Sequence, residues 1–416
     1  MRFLVLLSAF AWISSFFFTS YVLYYGILSL FALRRKPAYP TSGPKHRFAA
    51  VIAARNEQAV IGSLVESLLA QDYPQELFDV IVVPNNCTDQ TEQVAREAGA
   101  TIFHCTSPVR SKGDALTQVF EHLLKDGRHD AFCVFDADNL VTPQFLEHMN
   151  RALCAGAHLA QGYRDSKNPH DTAVSGWYSF YYWMVNRFYN HARHTCGLSA
   201  MINGSGFMVS RELLLKSGGW HTYTMTEDIE FTTQSILRGE KTWWVPEAIT
   251  YDEQPLTFAQ SWRQRKRWST GLLQGLTHYA PALFQRAVKQ HDPICVDQLL
   301  FFLAPAMQMI WLLSIVCGAL LNVCYVHYQL FPQTEIYYRL FLSLNSSWLI
   351  SMIMCLLVLA CEKKPVHSLW KALLTYWMFI ASWVPINLLC TFKKCTSWEP
   401  IAHTRNIRLS DLSAGK

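Results

Sequence analysis

Charge is scarce in this sequence. Only 16% of its 416 residues are Asp, Glu, Lys or Arg, while 51% are hydrophobic and 14% aromatic. Soluble chains carry about 25% charged residues. The scarcity is local: residues 3–33, 298–325, 340–361 and 372–392 hold no charged side chain at all. Each run reaches the about 20 residues that a bilayer crossing needs. A wholly soluble protein is thereby excluded, and an integral membrane protein with one large soluble domain is expected. A cleaved signal peptide does not suit residues 3–33, because Arg2 is the only basic residue before the run, the run is too long, and no small-residue cleavage site follows.

Other absences narrow the function. The twelve cysteines contain no C-x-x-C pair, which disfavours a zinc ribbon or a redox motif and suits reduced packing residues. The fifteen histidines contain no H-E-x-x-H; His191 and His194, three apart, read as surface residues rather than metal ligands. No G-x-G-x-x-G follows the first strand and no G-x-x-x-x-G-K-[ST] occurs, so a dinucleotide site and a P-loop are disfavoured. The net charge of +5 is modest and calls for no nucleic-acid partner, although it suits anionic lipid.

What is present between residues 48 and 135 is alternation. The runs FAAVIAA (48–54), FDVIVV (78–83), TIFHC (101–105) and AFCVF (131–135) read as strands. Segments with apolar residues at helical spacing separate them, two of which end at Gly99 and Gly127. Such alternation predicts an α/β domain with a mostly parallel sheet covered on both faces. Ligands on these sheets bind beyond the carboxyl ends of the strands. Those positions hold ARNE (54–57), PNNCTD (84–89) and DADN (136–139).

Three clusters carry chemistry. Asp136 and Asp138 end a buried strand and point to the same side, a geometry that suits a hard divalent ion shared with phosphates; a solvated loop would look the same. Glu227 and Asp228 follow Thr226 at the start of a helical segment. Thr226 can cap that helix and the acids suit its dipole; alternatively Asp228 is a general base. In Q-R-K-R-W (264–268), Gln264 and Arg267 share a helix face. Arginine can hold a phosphate bidentately, and the Trp268 indole offers a face to a sugar. A membrane-surface helix with snorkelling cations is the alternative.

The order ARNE, NNCTDQT, SKGDAL, DADN, NGSGFMVSRELLLKSGGW, TEDIEF, QRKRW resembles family 2 glycosyltransferases of the GT-A fold. It looks most like the membrane-bound processive β-glycan synthases that make chitin oligosaccharide, hyaluronan, poly-N-acetylglucosamine or cellulose. The resemblance implies a nucleotide-sugar site at Ala54, Arg55, Glu57, Asn85, Asp89, Lys112, Asp136, Gln264 and Arg267. It implies Mg2+ or Mn2+ at Asp136 and Asp138, a general base at Asp228 beside Glu227, and an acceptor site at Gly204, Ser205, Gly206 and Trp268. The donor would be a UDP-sugar, with N-acetylglucosamine the expected sugar. The acceptor would be a growing glycan or, alternatively, a lipid, with a homo-oligomer or an export subunit as further partners; an inactive membrane scaffold is the reading from another class. Asn85 stands where family members usually carry Asp, which bears on nucleotide preference.

The expected organisation is a transmembrane helix (1–33), a basic linker (34–47), a GT-A domain (48–256), interfacial helices (257–296), about three further spans (297–392) and a basic tail (393–416). The acid-free flank RRKPAYPTSGPKHR places the domain in the cytoplasm by the positive-inside rule. One span before the domain and three after it would leave the basic tail outside. Either the last segment is re-entrant, with Pro385 as a possible break, or the tail departs from the rule.

Overall fold

The computed structural model describes residues 2–328, 333–393, 403 and 405–414. A long helix, α1 (Arg2–Leu30), precedes the soluble domain. The domain's first half is built from β1 (Phe48–Ala54), α2 (Ile61–Leu69), β2 (Phe78–Pro84), α3 (Thr91–Glu97), β3 (Thr101–Ile102), α4 (Lys112–Asp126) and β4 (Ala131–Asp136). The second half adds β5 (Leu140–Val141), α5 (Phe145–Cys154), β6 (Leu159–Ser166), α6 (Ala173–Met184), α7 (Ala192–Thr195), β7 (Phe207–Ser210), α8 (Arg211–Ser217), α9 (Glu227–Leu237) and β8 (Thr242–Asp252). Then follow α10 (Phe258–Gln290), α11 (Pro293–Phe302), α12 (Ala304–His327), α13 (Gln333–Glu362), α14 (Trp370–Phe392) and α15 (Leu409–Ala414).

The eight strands form one sheet in the order β3-β2-β1-β4-β7-β6-β8-β5. Pairings β3–β2, β2–β1, β1–β4 and β6–β8 are parallel, while β4–β7, β7–β6 and β8–β5 are antiparallel. The uninterrupted apolar run of β1 follows from burial on both faces. Phe48, Ala50, Ile52 and Ala54 pack with Leu64 and Phe145 on one side, and Ala49 and Val51 pack with Phe120 and Trp220 on the other. That is the period of two expected of a strand. The strand read at 101–105 keeps only Thr101–Ile102, at the sheet's edge.

Helix ends follow their sequence signals. Ser111 caps α4 by accepting from Asp114 N at 3.1 Å, and Gly127 ends it at φ 73°. Thr226 does occupy the position before α9, yet its side chain makes no capping bond. His191 is not a surface residue, for its ring is buried and Nε2 lies 3.1 Å from the Arg34 carbonyl. His194 packs between Tyr39 and Trp243, and burial lowers its pKa to about 4.

Among the described residues four helices are long and apolar enough to cross a membrane: Leu4–Leu33, Ala304–His327, Asn345–Glu362 and His367–Phe392. The last differs from the others in its partners. Near its start, Thr375 accepts from the Trp177 indole at 3.0 Å. At its middle, the Phe379 carbonyl and Ser382 accept from Arg265 at 2.9 and 2.7 Å. Near its end, Cys390 contacts the Lys266 carbonyl. α14 therefore lies along α6 and α10 instead of leading away from them. Pro385 does not break it, because the helix runs on to Phe392. The tail beyond returns to the domain: Arg405 N donates to Glu253 at 3.0 Å, and Ser63 donates to Asn406 at 2.7 Å.

Candidate active site

A cavity of about 820 Å3 opens beyond the carboxyl ends of β1, β2 and β4. Arg55, Glu57, Asn85, Lys112, Asp136, Asp138, Gly204, Glu227, Asp228, Gln264, Arg267 and Trp268 all reach its wall. Residues scattered over more than two hundred positions thus meet in one place.

Lys112 opens α4 and is the hub of the charged floor. Its Nζ lies 2.5 Å from Asp136 Oδ1 and donates to the Gly204 carbonyl at 2.7 Å. Burial raises the Asp136 pKa, but Lys112, Arg164 and Arg267 overcome it, so the carboxylate titrates below its ordinary value. Asp138 Oδ2 accepts from Glu253 N at 2.8 Å. Asp136 and Asp138 offer hard oxygen donors on the cavity wall, which fits an Mg2+ or Mn2+ ion that completes its shell with substrate phosphate and water. Among the described residues no three His, Cys, Asp or Glu side chains converge as a ligand set, so this pair would depend on a diphosphate to finish the site.

Asp228, at the start of α9, behaves oppositely. Burial and the neighbouring Glu227 raise its pKa to about 7, against the pull of the Ile229 N–H, Lys112 and Arg164. Two carboxylates on one cavity thus sit in environments that push their pKa values apart, the signature of separate roles.

On α10, Gln264, Arg267 and Trp268 face the cavity, and the Gln264 side-chain oxygen Oε1 is buried without a partner. Arg265 between them is fully buried and binds α14, so the cations of the basic run do different work. Trp268 stacks on Tyr181 at 5.7 Å and on Trp383 at 6.3 Å.

Other expected residues stand off the wall. Asp89 is held by Thr91 Oγ1 at 2.5 Å and by Gln58 N at 3.2 Å. The Ala54 carbonyl accepts from Asn85 Nδ2 at 3.0 Å. Ser205 is fully buried behind the wall, where it accepts from Asp136 N at 2.9 Å. Gly206 has φ +63°, and an added Cβ would meet Thr250 Oγ1 at 2.8 Å. Gly206→Ala is expected to cost about 1–3 kcal/mol through strain and overpacking, read as a lower thermal unfolding temperature.

Sequence reasoning missed several wall residues. Arg164 pairs with Asp252 through Nη2 at 2.7 Å and lies over the Tyr182 ring at 4.3 Å. His403 of the tail sits 3.1 Å from Glu57; burial opposes its charge, yet Asp138, Glu57 and Glu253 raise its pKa to about 10. Ile380, Trp383 and Asn387 also line the cavity. Their i, i+3, i+7 spacing on one helix face was the available signal.

Residues 44–271 match the family described as "Glycosyltransferase like family 2". The chain belongs to that glycosyltransferase family. It is 27% identical over 240 residues to the probable glycosyltransferase YdaM of Bacillus subtilis, covering 54% of this chain and 55% of that one. It is 28% identical over 281 residues to the beta-monoglucosyldiacylglycerol synthase of Synechocystis, covering 61% and 56%. It is 23% identical over 225 residues to the poly-beta-1,6-N-acetyl-D-glucosamine synthase of Staphylococcus aureus, covering 53% of each. The chain spans about half the length of the curated relatives it matches. In structure it resembles a mannosyltransferase of Pyrobaculum calidifontis solved with GDP-Man and Mn2+, with TM-score 0.60, 17% identity and coverage of 91% and 99%. That likeness identifies the GT-A fold.

Proposed function

We propose that this chain is a membrane-bound inverting glycosyltransferase that moves a sugar from a UDP-sugar to an acceptor hydroxyl. The observation that carries the reading is the meeting of two unlike sites at Gly204 on one cavity wall: the Asp136–Lys112–Arg267 group and the raised-pKa Asp228, whose Oδ2 atoms would lie 3.8 and 3.6 Å from a Cβ placed on that glycine. Asp228 takes the proton of the acceptor hydroxyl. The freed oxygen bonds to the anomeric carbon from the face opposite the diphosphate, the bond to the diphosphate oxygen breaks, and UDP leaves. Arg267 and Lys112 meet the charge that grows on the departing diphosphate. Asp136 and Asp138 would hold the Mg2+ or Mn2+ ion, which when bound supplies further charge stabilisation to the leaving group. Glu227 serves by holding Asp228 at a basic pKa. Asn85, Arg55 and Glu57 lie at the uridine end, and Trp268 offers its face to the acceptor.

The soluble domain is assigned to the cytoplasm. α1, α12 and α13 then cross the bilayer while α14 lies at its surface, which returns the tail to the domain's side. Of the two acceptor classes, a growing β-glycan of N-acetylglucosamine and a single lipid alcohol, the geometry favours the lipid. Three crossing helices are few to enclose a glycan, and the cavity runs on to the start of α12.

The test is release of UDP by the detergent-purified full chain with Mn2+ and each UDP-sugar in turn, with products sized and digested by linkage-specific hydrolases. One sugar should turn over, and chelation with EDTA should lower the rate at least about 100-fold. Folded protein that turns over no UDP-sugar would overturn the reading.

A further inference from the structure

The cavity does not end at Trp268. Beyond it the wall is formed by Phe301, Pro305 and Gln308 on one side and by Ile380, Trp383 and Asn387 on the other. Most of this wall is apolar, but it contains two amides. Asn387 Nδ2 donates to Gln308 Oε1 at 2.5 Å. Asn387 is 2% exposed, and its Oδ1 is buried with no partner. A buried amide oxygen without a donor is costly, the more so beside lipid.

The place of this pair is informative. Gln308 lies four residues into α12, about 6 Å from the helix start at a rise of 1.5 Å per residue, at the end of the helix nearest the cavity. Ser382 and Ser314, by contrast, are engaged, with Arg265 at 2.7 Å and with Ser14 at 2.7 Å. A glycan strand carries hydroxyls along its whole length and would need partners along the whole path. An amphiphile needs them at one depth only.

We infer that Gln308 and Asn387 form a subsite for a membrane-dissolved lipid alcohol, an inference that rests on the transferase reading above. The lipid's hydrocarbon lies along Phe301, Pro305 and Ile380. The polar group beside its reacting hydroxyl sits on the amide pair, where Asn387 Oδ1 accepts from an O–H or N–H. The reacting hydroxyl itself reaches past Trp268 to Asp228. The pair is a specificity device, not part of the chemical step.

The experiment uses the full chain in phosphatidylcholine nanodiscs, with the UDP-sugar that turns over. Dioleoylglycerol and N-oleoylsphingosine are the lipid probes and chitotetraose the glycan probe. Wild type should glycosylate at least one lipid. Asn387→Leu should raise the KM for that lipid by about tenfold, the value of one buried hydrogen bond, with kcat and the UDP-sugar KM kept within a factor of two. Gln308→Leu, at a less buried position, should do the same and serves if Asn387→Leu does not fold. Ser314→Ala should change neither constant. An unchanged lipid KM in the folded variants, or an equal rise in the UDP-sugar KM, would overturn the subsite. Transfer to chitotetraose with both lipids untouched would overturn it while leaving the transferase intact. Absence of UDP release under every condition would remove the transferase reading, and the subsite with it.

Discussion

Asp228→Asn lowers kcat by about 100- to 10,000-fold while leaving the KM for the UDP-sugar nearly unchanged. The magnitude is that of a lost general base. The split between constants follows from role: Asp228 acts on the acceptor hydroxyl in the chemical step, whereas Lys112, Asp136 and Arg267 meet the diphosphate, so its removal costs little donor binding. The pH profile gives an independent reading. Burial and Glu227 hold the Asp228 carboxyl at about 7, so the wild-type rate should fall about tenfold per pH unit below that value and level off above it. Removing the Glu227 charge by Glu227→Gln should move the limb to lower pH. A wild-type rate that is flat from pH 5 to pH 8 would remove Asp228 from the role.

Stability should move the other way. The folded pKa of Asp228 lies above its unfolded value of 3.8. Its ionisation therefore opposes folding: the cost is absent below the unfolded pKa and grows as pH rises towards the folded one. At pH 8 the carboxylate is charged in both states and the full cost applies. Asp228→Asn should thus unfold at a higher temperature than wild type at pH 8 and show no such advantage at pH 4. A variant that is dead and yet more stable separates a functional carboxylate from a structural one.

The first half of the sheet was legible because its strands are buried on both faces and so read as continuous apolar runs. Strands β6 and β8 were not. Their segments mix Gln161, Arg164, Asp165 and Glu247 with apolar residues: Gln161 binds backbone groups, Arg164 and Asp165 bind side chains, and Glu247 is exposed. The motif residues were legible by type and order. What a one-dimensional reading could not supply was direction. Three cations in a row, 265–267, look alike, yet Arg265 is buried against α14 whereas Arg267 faces the cavity. Likewise α14 has the composition of a membrane span. Only its contacts with α6 and α10, at both ends and the middle, reveal a helix that stays beside the domain. On the topology proposed above, that placement would remove the conflict between an odd number of later spans and a basic tail. His403, a residue with no local signature, also lies on the cavity.

Asp297→Ala is expected to destabilise the protein by about 3–5 kcal/mol, the cost of leaving a buried charge without its partner. Arg193 is fully buried and meets Asp297 through two bonds, Nε to Oδ2 at 2.8 Å and Nη2 to Oδ1 at 3.0 Å. The same carboxylate accepts from the Tyr24 hydroxyl at 2.8 Å, and the guanidinium lies 3.5 Å from the centre of the Tyr189 ring. One acid on α11 thus fastens α1 and α7 to α11, over sequence separations of 273 and 104 residues. Alanine removes every one of these bonds and leaves Arg193 in an apolar setting, with Nη1 already unpartnered. For a chain of this size the loss corresponds to roughly 4–6 °C in apparent Tm, measurable by intrinsic tryptophan fluorescence. Replacing both partners, Arg193→Leu with Asp297→Leu, should recover most of it, because the desolvation cost of the charges goes with the charges. If the single and the double variants unfold at the same temperature, the pair is not what joins α1 to the catalytic domain.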